Sequence, residues 1–181
     1  MISGLLSKLT YPTRLEIAAP PSAEELDVFI DSRALEYPST LENQFAERAL
    51  ALGVENGVLL DVGARVGLIA LKILWQNENF LCIGVDESSV MIDRARETAN
   101  AWGLSERAFF QVGDARNMRL KSNYFDLVVS DGVFHALTDP LTVLSEIGRV
   151  LKPKGGLLIR DMARPSRFKM ARLIDEFSNR Y

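Results

Sequence analysis

Residues 59–67 read LLDVGARVG, an apolar run that ends on Asp61 and then passes through Gly63 and Gly67. Apolar residues closing on an acid suit the end of a buried strand, and glycine permits a positive φ and close approach of another group to the backbone. Apolar residues resume at once over 68–77, as in a helix that opens on the second glycine. The first N–H groups of such a helix have no partner within it and favour a ligand that accepts hydrogen bonds. Strand, glycine turn and helix in this order predict a βα unit with a ligand-facing rim. Arg65 is the discordant residue, since at a positive φ it bears a cost on the order of 1 kcal/mol.

The alternation repeats to either side. FLCIGVD, AFFQVGD, FDLVVSDG and GGLLIRDM read as further buried strands after GVLLDVG. Between them, a helix over 88–102 is expected with Met91, Ala95, Ala99 and Trp102 on one stripe. Thr138 or Asp139 caps another, with Pro140 in its first turn and Leu144, Ile147 and Leu151 turned inward. Strand, helix, strand in succession predicts an α/β fold: a doubly wound, Rossmann-like, mainly parallel sheet with helices on both faces and five recognisable strands. A helix from Thr40, with Leu41, Phe45, Ala49 and Leu52 on one side and Gly53 as its stop, precedes the first strand, and a last helix is expected over 166–179. No sixth or seventh strand follows, so the GGLLIRDM edge is expected to be bare. Residues 1–39, with Pro20, Pro21 and a Ser22–Glu25 capping box, form an expected helical extension or lid carrying Tyr11, Phe29 and Tyr37. Residues 40–181 form the main domain.

Composition excludes several functions. Among 181 residues 48% are hydrophobic and 25% charged, the balance of a soluble globular domain. A net charge of −3 offers no basic face for nucleic acid. With Cys82 the only cysteine and His135 the only histidine, neither an intramolecular disulfide nor a thiolate or multi-histidine metal site is expected. No segment has the length of a membrane span, and the expected location is cytoplasmic.

The strand ends carry Asp61, Asp86, Asp114 and the pair Ser130 and Asp131. In an open parallel sheet these positions share one rim, where ligands bind at the reversal of strand order. Asp86 ends the second strand, as does the acid that accepts ribose hydroxyls in nucleotide sites, a geometry common to NAD and adenosine ligands. Asp114 suits an adenine amino group and the Ala115 N–H a ring nitrogen, while the plainer role for Asp114 is a helix cap.

VLLDVGARVG, IGVDESSVMIDRAR, VGDARNMRLKSNYFDLVVSDGVFHAL and EIGRVLKPKGGLLI occur in order over about residues 57–162. Together they resemble class I S-adenosylmethionine-dependent methyltransferases, in particular the small-molecule branch similar to ubiquinone and menaquinone biosynthesis methyltransferases. The resemblance implies S-adenosyl-L-methionine as cofactor and a pocket built from Asp61, Gly63, Ala64, Arg65 and Gly67. It also places Asp86 and Glu87 at the ribose, Met91 near the adenine, Asp114 and Ala115 at its edge, and Ser130 beside the methionyl part. The family usually has glycine where this chain has Arg65, whose side chain would either block the methionyl volume or pair with its carboxylate. It also closes its sheet with an antiparallel strand pair that this sequence lacks.

Methyl transfer from a sulfonium releases a neutral leaving group, so placement of the acceptor in a dry site supplies much of the catalysis. Where the acceptor needs a base, His135 is the first candidate and Asp131 the second. Two other readings stand beside methyl transfer to a small molecule. One is a partner subunit with a pocket altered by Arg65, for which the bare sheet edge offers a homodimer surface. The other is an NAD(P)-dependent oxidoreductase, disfavoured by the absence of a compact three-glycine turn.

Overall fold

The computed structural model of the chain describes residues 40–161. The expected lid and the expected helix over 166–179 lie outside them. Helix α1 (Thr40–Leu50) leads into β1 (Gly57–Val62), α2 (Leu68–Gln76), β2 (Phe80–Asp86), α3 (Ser89–Ala101) and β3 (Ala108–Val112). There follow β4 (Phe125–Asp131), a short 3-10 turn (Phe134–Ala136), α4 (Pro140–Val150) and β5 (Leu151–Arg160).

The five strands pair in parallel in the order β3-β2-β1-β4-β5, so the chain begins at the centre, winds to one edge and then crosses back. The order reverses between β1 and β4, and that reversal places the C-terminal ends of these two strands beside a ligand-accessible crevice. Among the described residues, β3 and β5 are the two edge strands.

Alternation along the strands divides the core into two layers. Leu59, Cys82 and Leu127 pack with Phe45, Ile69, Ile73, Ile92 and Ala95 from α1, α2 and α3. Leu60, Val62 and Val128 pack on the opposite face with Val143, Ile147 and Val150 from α4. Asp61, two residues after Leu59, therefore faces the α2 side. Gly67 caps α2 at φ +78°, and Gly53 after α1 takes φ +81°. Ser88 accepts the Met91 N–H at the start of α3, and Asp139 accepts the Thr142 N–H at the start of α4.

Two inward stripes differ from the sequence expectation. On α4 the buried residues are Val143, Ile147 and Val150, whereas Leu144 is 39% exposed and Leu151 already belongs to β5. Positions 143, 147 and 150 keep one helical face, and Leu144 lies one step round from it. On α3, Ile92 is fully buried with Ala95 and Ala99, and Met91 is half-buried at the stripe's margin. Flanking apolar residues in both helices made the phase of the period ambiguous from sequence alone.

Candidate functional site

The turn after β1 is fastened to β2. Val85 O accepts the N–H groups of Gly63 (2.8 Å) and Ala64 (3.0 Å), and Ala64 O accepts that of Gly67 at 2.8 Å. Gly63 has φ +75°, and a Cβ there would lie 2.1 Å from Val133 Cγ2; one on Gly67 would lie 2.6 Å from Phe110 Cζ. Both glycines thus serve close approach by the chain itself as well as a positive φ. Arg65 does adopt a left-handed conformation, φ +51°, and donates its N–H to Asp86 Oδ2 at 2.9 Å. That bond offsets part of the backbone cost, and the Arg65 guanidinium reaches toward Gly132 beyond β4.

Asp61 lies beneath this turn, 2% exposed, and its Oδ2 has no hydrogen-bond partner. Burial pushes its carboxyl up to about 7. The Ala70 N–H and the Arg65 charge favour the anion, while Asp131 and Asp86 oppose it. A buried polar atom left unpaired is costly, so this oxygen is suited to a donor or cation brought by a ligand. Asp86 accepts the Ser88 N–H at Oδ1 (3.0 Å) and the Arg65 N–H at Oδ2, and each oxygen keeps a second lone pair for an exogenous hydroxyl. These acceptors therefore fit a ribose diol beside a cationic group. Glu87 is exposed and Met91 half-buried on the following turn.

The third strand end is engaged differently. Asp114 receives Arg116 Nε at 2.8 Å and Nη2 at 2.8 Å, and its Oδ1 accepts the Arg116 N–H. Those bonds hold its carboxyl below the usual carboxylate range. No helix follows Asp114, so the helix cap weighed from sequence is not formed and the carboxylate braces a turn instead, while Ala115 packs beside the second core layer.

Both candidates at the end of β4 are engaged within the chain. Ser130 is fully buried and donates its hydroxyl to Val62 O at 2.9 Å, so it ties β4 to β1 and does not line the rim. Asp131 is held by Arg160, with Nε to Oδ1 and Nη2 to Oδ2 both at 2.7 Å. Both oxygens of Asp131 are thus engaged by one guanidinium.

His135, in the 3-10 turn, places Nδ1 2.8 Å from Asp161 Oδ1. Sequence reasoning missed Asp161 and Arg160. Both follow the apolar run GGLLI, so the strand-end criterion that singled out Asp61, Asp86 and Asp131 also reaches them when extended to β5. Among the described residues no cluster of His, Cys, Asp and Glu is arranged to hold a metal, and no helix is long and apolar enough to cross a membrane.

Comparison with known proteins converges on this architecture. Residues 54–180 match a family model described as a methyltransferase domain. The chain is 30% identical over 120 residues to demethylmenaquinone methyltransferase of Bacteroides fragilis, covering 66% of this chain and 49% of that protein. It is 32% identical over 121 residues to malonyl-[acyl-carrier protein] O-methyltransferase of Geobacter sulfurreducens, covering 65% and 44%. The chain thus spans about half the length of these relatives. Among solved structures, a SAM-dependent methyltransferase from Aquifex aeolicus superimposes with a TM-score of 0.63 at 24% identity, covering 87% of this chain and 88% of that one. The [4+2]-cyclase SpnF superimposes with a TM-score of 0.64 at 30% identity, covering 71% and 47%.

Proposed function

Because the chain belongs to the methyltransferase-domain family, we propose that it uses S-adenosyl-L-methionine to methylate a small-molecule acceptor. The observation that carries this reading is the buried, unpartnered Oδ2 of Asp61 beneath a glycine turn whose neighbour, Asp86, retains lone pairs toward the same rim. Bound there, the cofactor would supply an electrophilic methyl group on a sulfonium with a neutral thioether as leaving group. Asp86 would accept the ribose hydroxyls, and Asp61 would receive the methionyl ammonium. Gly63 and Gly67 keep the backbone close enough for the adenosyl group to lie over the turn. Met91 and Ala115 would border the adenine, with Asp114 reaching it only by sharing its carboxylate with Arg116.

Arg65 is the chain's own addition. Its charge acts on Asp61 and its guanidinium lies toward Gly132, a position from which it would clasp the methionyl carboxylate. Small-molecule acceptors are supported by the quinone and acyl-carrier substrates in the names of the relatives.

Calorimetry with S-adenosyl-L-methionine, S-adenosyl-L-homocysteine and NAD tests this assignment. Binding of the first two without the third is expected, and failure of both adenosyl compounds to bind overturns it. Arg65→Gly should weaken S-adenosyl-L-homocysteine binding. A gain in affinity would instead make Arg65 an obstruction and favour a partner subunit whose pocket Arg65 has altered.

A further inference from the structure

Asp114 and Arg116 close on each other within the turn that leaves β3. Asp114 Oδ1 accepts the Arg116 main-chain N–H and Nε, both at 2.8 Å, and Oδ2 accepts Nη2 at 2.8 Å with Nε a further contact at 3.0 Å. The main chain already closes this turn, because Asp114 O accepts the Asn117 N–H at 2.9 Å. The guanidinium fork is therefore additional to what the turn requires. It is open to solvent, with the Arg116 and Asp114 side chains 54% and 45% exposed. A carboxylate offers about four lone-pair positions. Both on Oδ1 are filled, Nη2 fills one on Oδ2, and the last is turned toward the Nε hydrogen. Arg116 thus takes most of the acceptor capacity of the acid assigned to the adenine edge. The charges of Glu87, beyond β2, and Asp139, at the start of α4, also act on Arg116, so a guanidinium that lets go of Asp114 keeps two carboxylates within electrostatic reach.

We propose that Arg116 is a specificity-determining residue that competes with the amino group of a 6-aminopurine nucleoside for Asp114. The inference rests on the methyltransferase reading of the site. The amino group reaches Asp114 either through the one position that Arg116 leaves or by moving the guanidinium aside. By either route it gains less than an unclaimed carboxylate would give it. A purine with hydrogen in place of that amino group makes no such demand and loses nothing to Arg116. The chain therefore distinguishes the two purines less sharply than the same turn would without Arg116. Exposed ion pairs are weak even when well aligned, so the competition amounts to a few-fold in affinity rather than orders of magnitude. A planar guanidinium matches a carboxylate with two parallel bonds, which an ammonium does not, so the effect belongs to arginine at this position.

Calorimetry on the full-length protein tests this, with S-adenosyl-L-homocysteine and with its analogue bearing hydrogen in place of the 6-amino group. Arg116→Ala should bind S-adenosyl-L-homocysteine about threefold more tightly than the wild type, while affinity for the analogue stays within about 1.5-fold. Arg116→Lys, which keeps the charge and gives up the fork, should show a gain of about twofold for the amino ligand alone. Adding Arg116→Ala to Asp114→Asn should bring no gain, because the contested carboxylate is then gone. Equal gains for both ligands would make Arg116 a steric obstacle and overturn the competition. A loss of affinity in Arg116→Ala would make it a contact for the purine, and a gain that persists beside Asp114→Asn would place its effect elsewhere; either result also overturns the proposal. If S-adenosyl-L-homocysteine binds wild type and variants with one affinity, the competition alone falls. If neither ligand binds any of these proteins, the methyltransferase reading falls and takes the competition with it.

Discussion

Replacing Asp61 with Asn should abolish a pH dependence of stability that the wild-type protein carries between about pH 4 and 7. Asp61 is fully enclosed, and its carboxyl is raised from 3.8 to about 7, chiefly by burial and further by the charges of Asp131 and Asp86. Across that interval the folded protein holds a proton that the unfolded chain has released. Stability therefore falls as pH rises, and it levels off once the folded group has also ionised. A shift of about three units at about 1.4 kcal/mol each amounts to a loss on the order of 4 kcal/mol between the two plateaus. Asn presents a neutral amide of the same shape, so it should equal the wild type near pH 4 and exceed it increasingly toward pH 7.5.

Urea unfolding of both proteins at half-unit intervals from pH 4.5 to 8 gives the comparison, and the difference between the curves cancels groups common to both. The other shifted carboxylates act in a separate window. Asp126, held by Lys152 and the Val58 N–H, and Glu146, held by Arg149, are lowered, so their contribution is lost only on acidification below the ordinary carboxylate range. Parallel curves for wild type and Asp61→Asn over pH 4.5–8 would refute the account: Asp61 would then be solvated or paired, and the unsatisfied oxygen would not be a reserved ligand position.

The same ionisation should govern ligand affinity: S-adenosyl-L-homocysteine, with its ammonium beside Asp61, should bind more weakly as pH falls below about 7, by up to about tenfold per unit, and Asp61→Asn should flatten that profile in calorimetry. Gly63→Ala should cost at least about 1–2 kcal/mol in urea unfolding and abolish binding of that compound, since the residue combines φ +75° with a 2.1 Å approach to Val133 Cγ2. Ile147→Ala, at a fully buried position between α4 and the sheet, should lower stability by about 2–5 kcal/mol with cofactor affinity preserved, as its core layer does not include Asp61 or Gly63.

The strand-end acids were legible in the sequence because position along a buried strand is a local property. Asp61, Asp86, Asp114 and Asp131 all lie at or just beyond strand ends, where the apolar runs placed them. Which of them face a ligand was not legible, because their partners come from elsewhere in the chain. Asp114 was expected to cap a helix, but the chain turns without forming one, and its partner is Arg116 two residues on. Asp86 is engaged by a backbone N–H whose direction depends on the left-handed φ of Arg65, a conformation that residue type disfavours. Ser130 turned inward because alternation along β4 carries it away from the face of Asp131, where Val62 O meets it.

Asp131 shows the limit most sharply. Phe125 pairs with Leu151, and uninterrupted pairing from there would set Leu157 opposite Asp131. Instead β5 is irregular just after its start, with Lys154 at φ +67°, and the register shifts so that Leu127 faces Gly156 and Asp131 faces Arg160. Extra residues of this kind re-aim everything downstream of them. Here the irregularity exchanges an apolar neighbour of Asp131 for the Arg160 guanidinium. It also brings Asp161 out at the level of the His135 turn. KPKGG reads locally as a loop preceding a strand, and nothing in its composition shows that the strand has already begun at Leu151. The partners of Asp131 and His135 were therefore set by an irregularity at the start of the edge strand, and only the pairing of β4 with β5 reveals it.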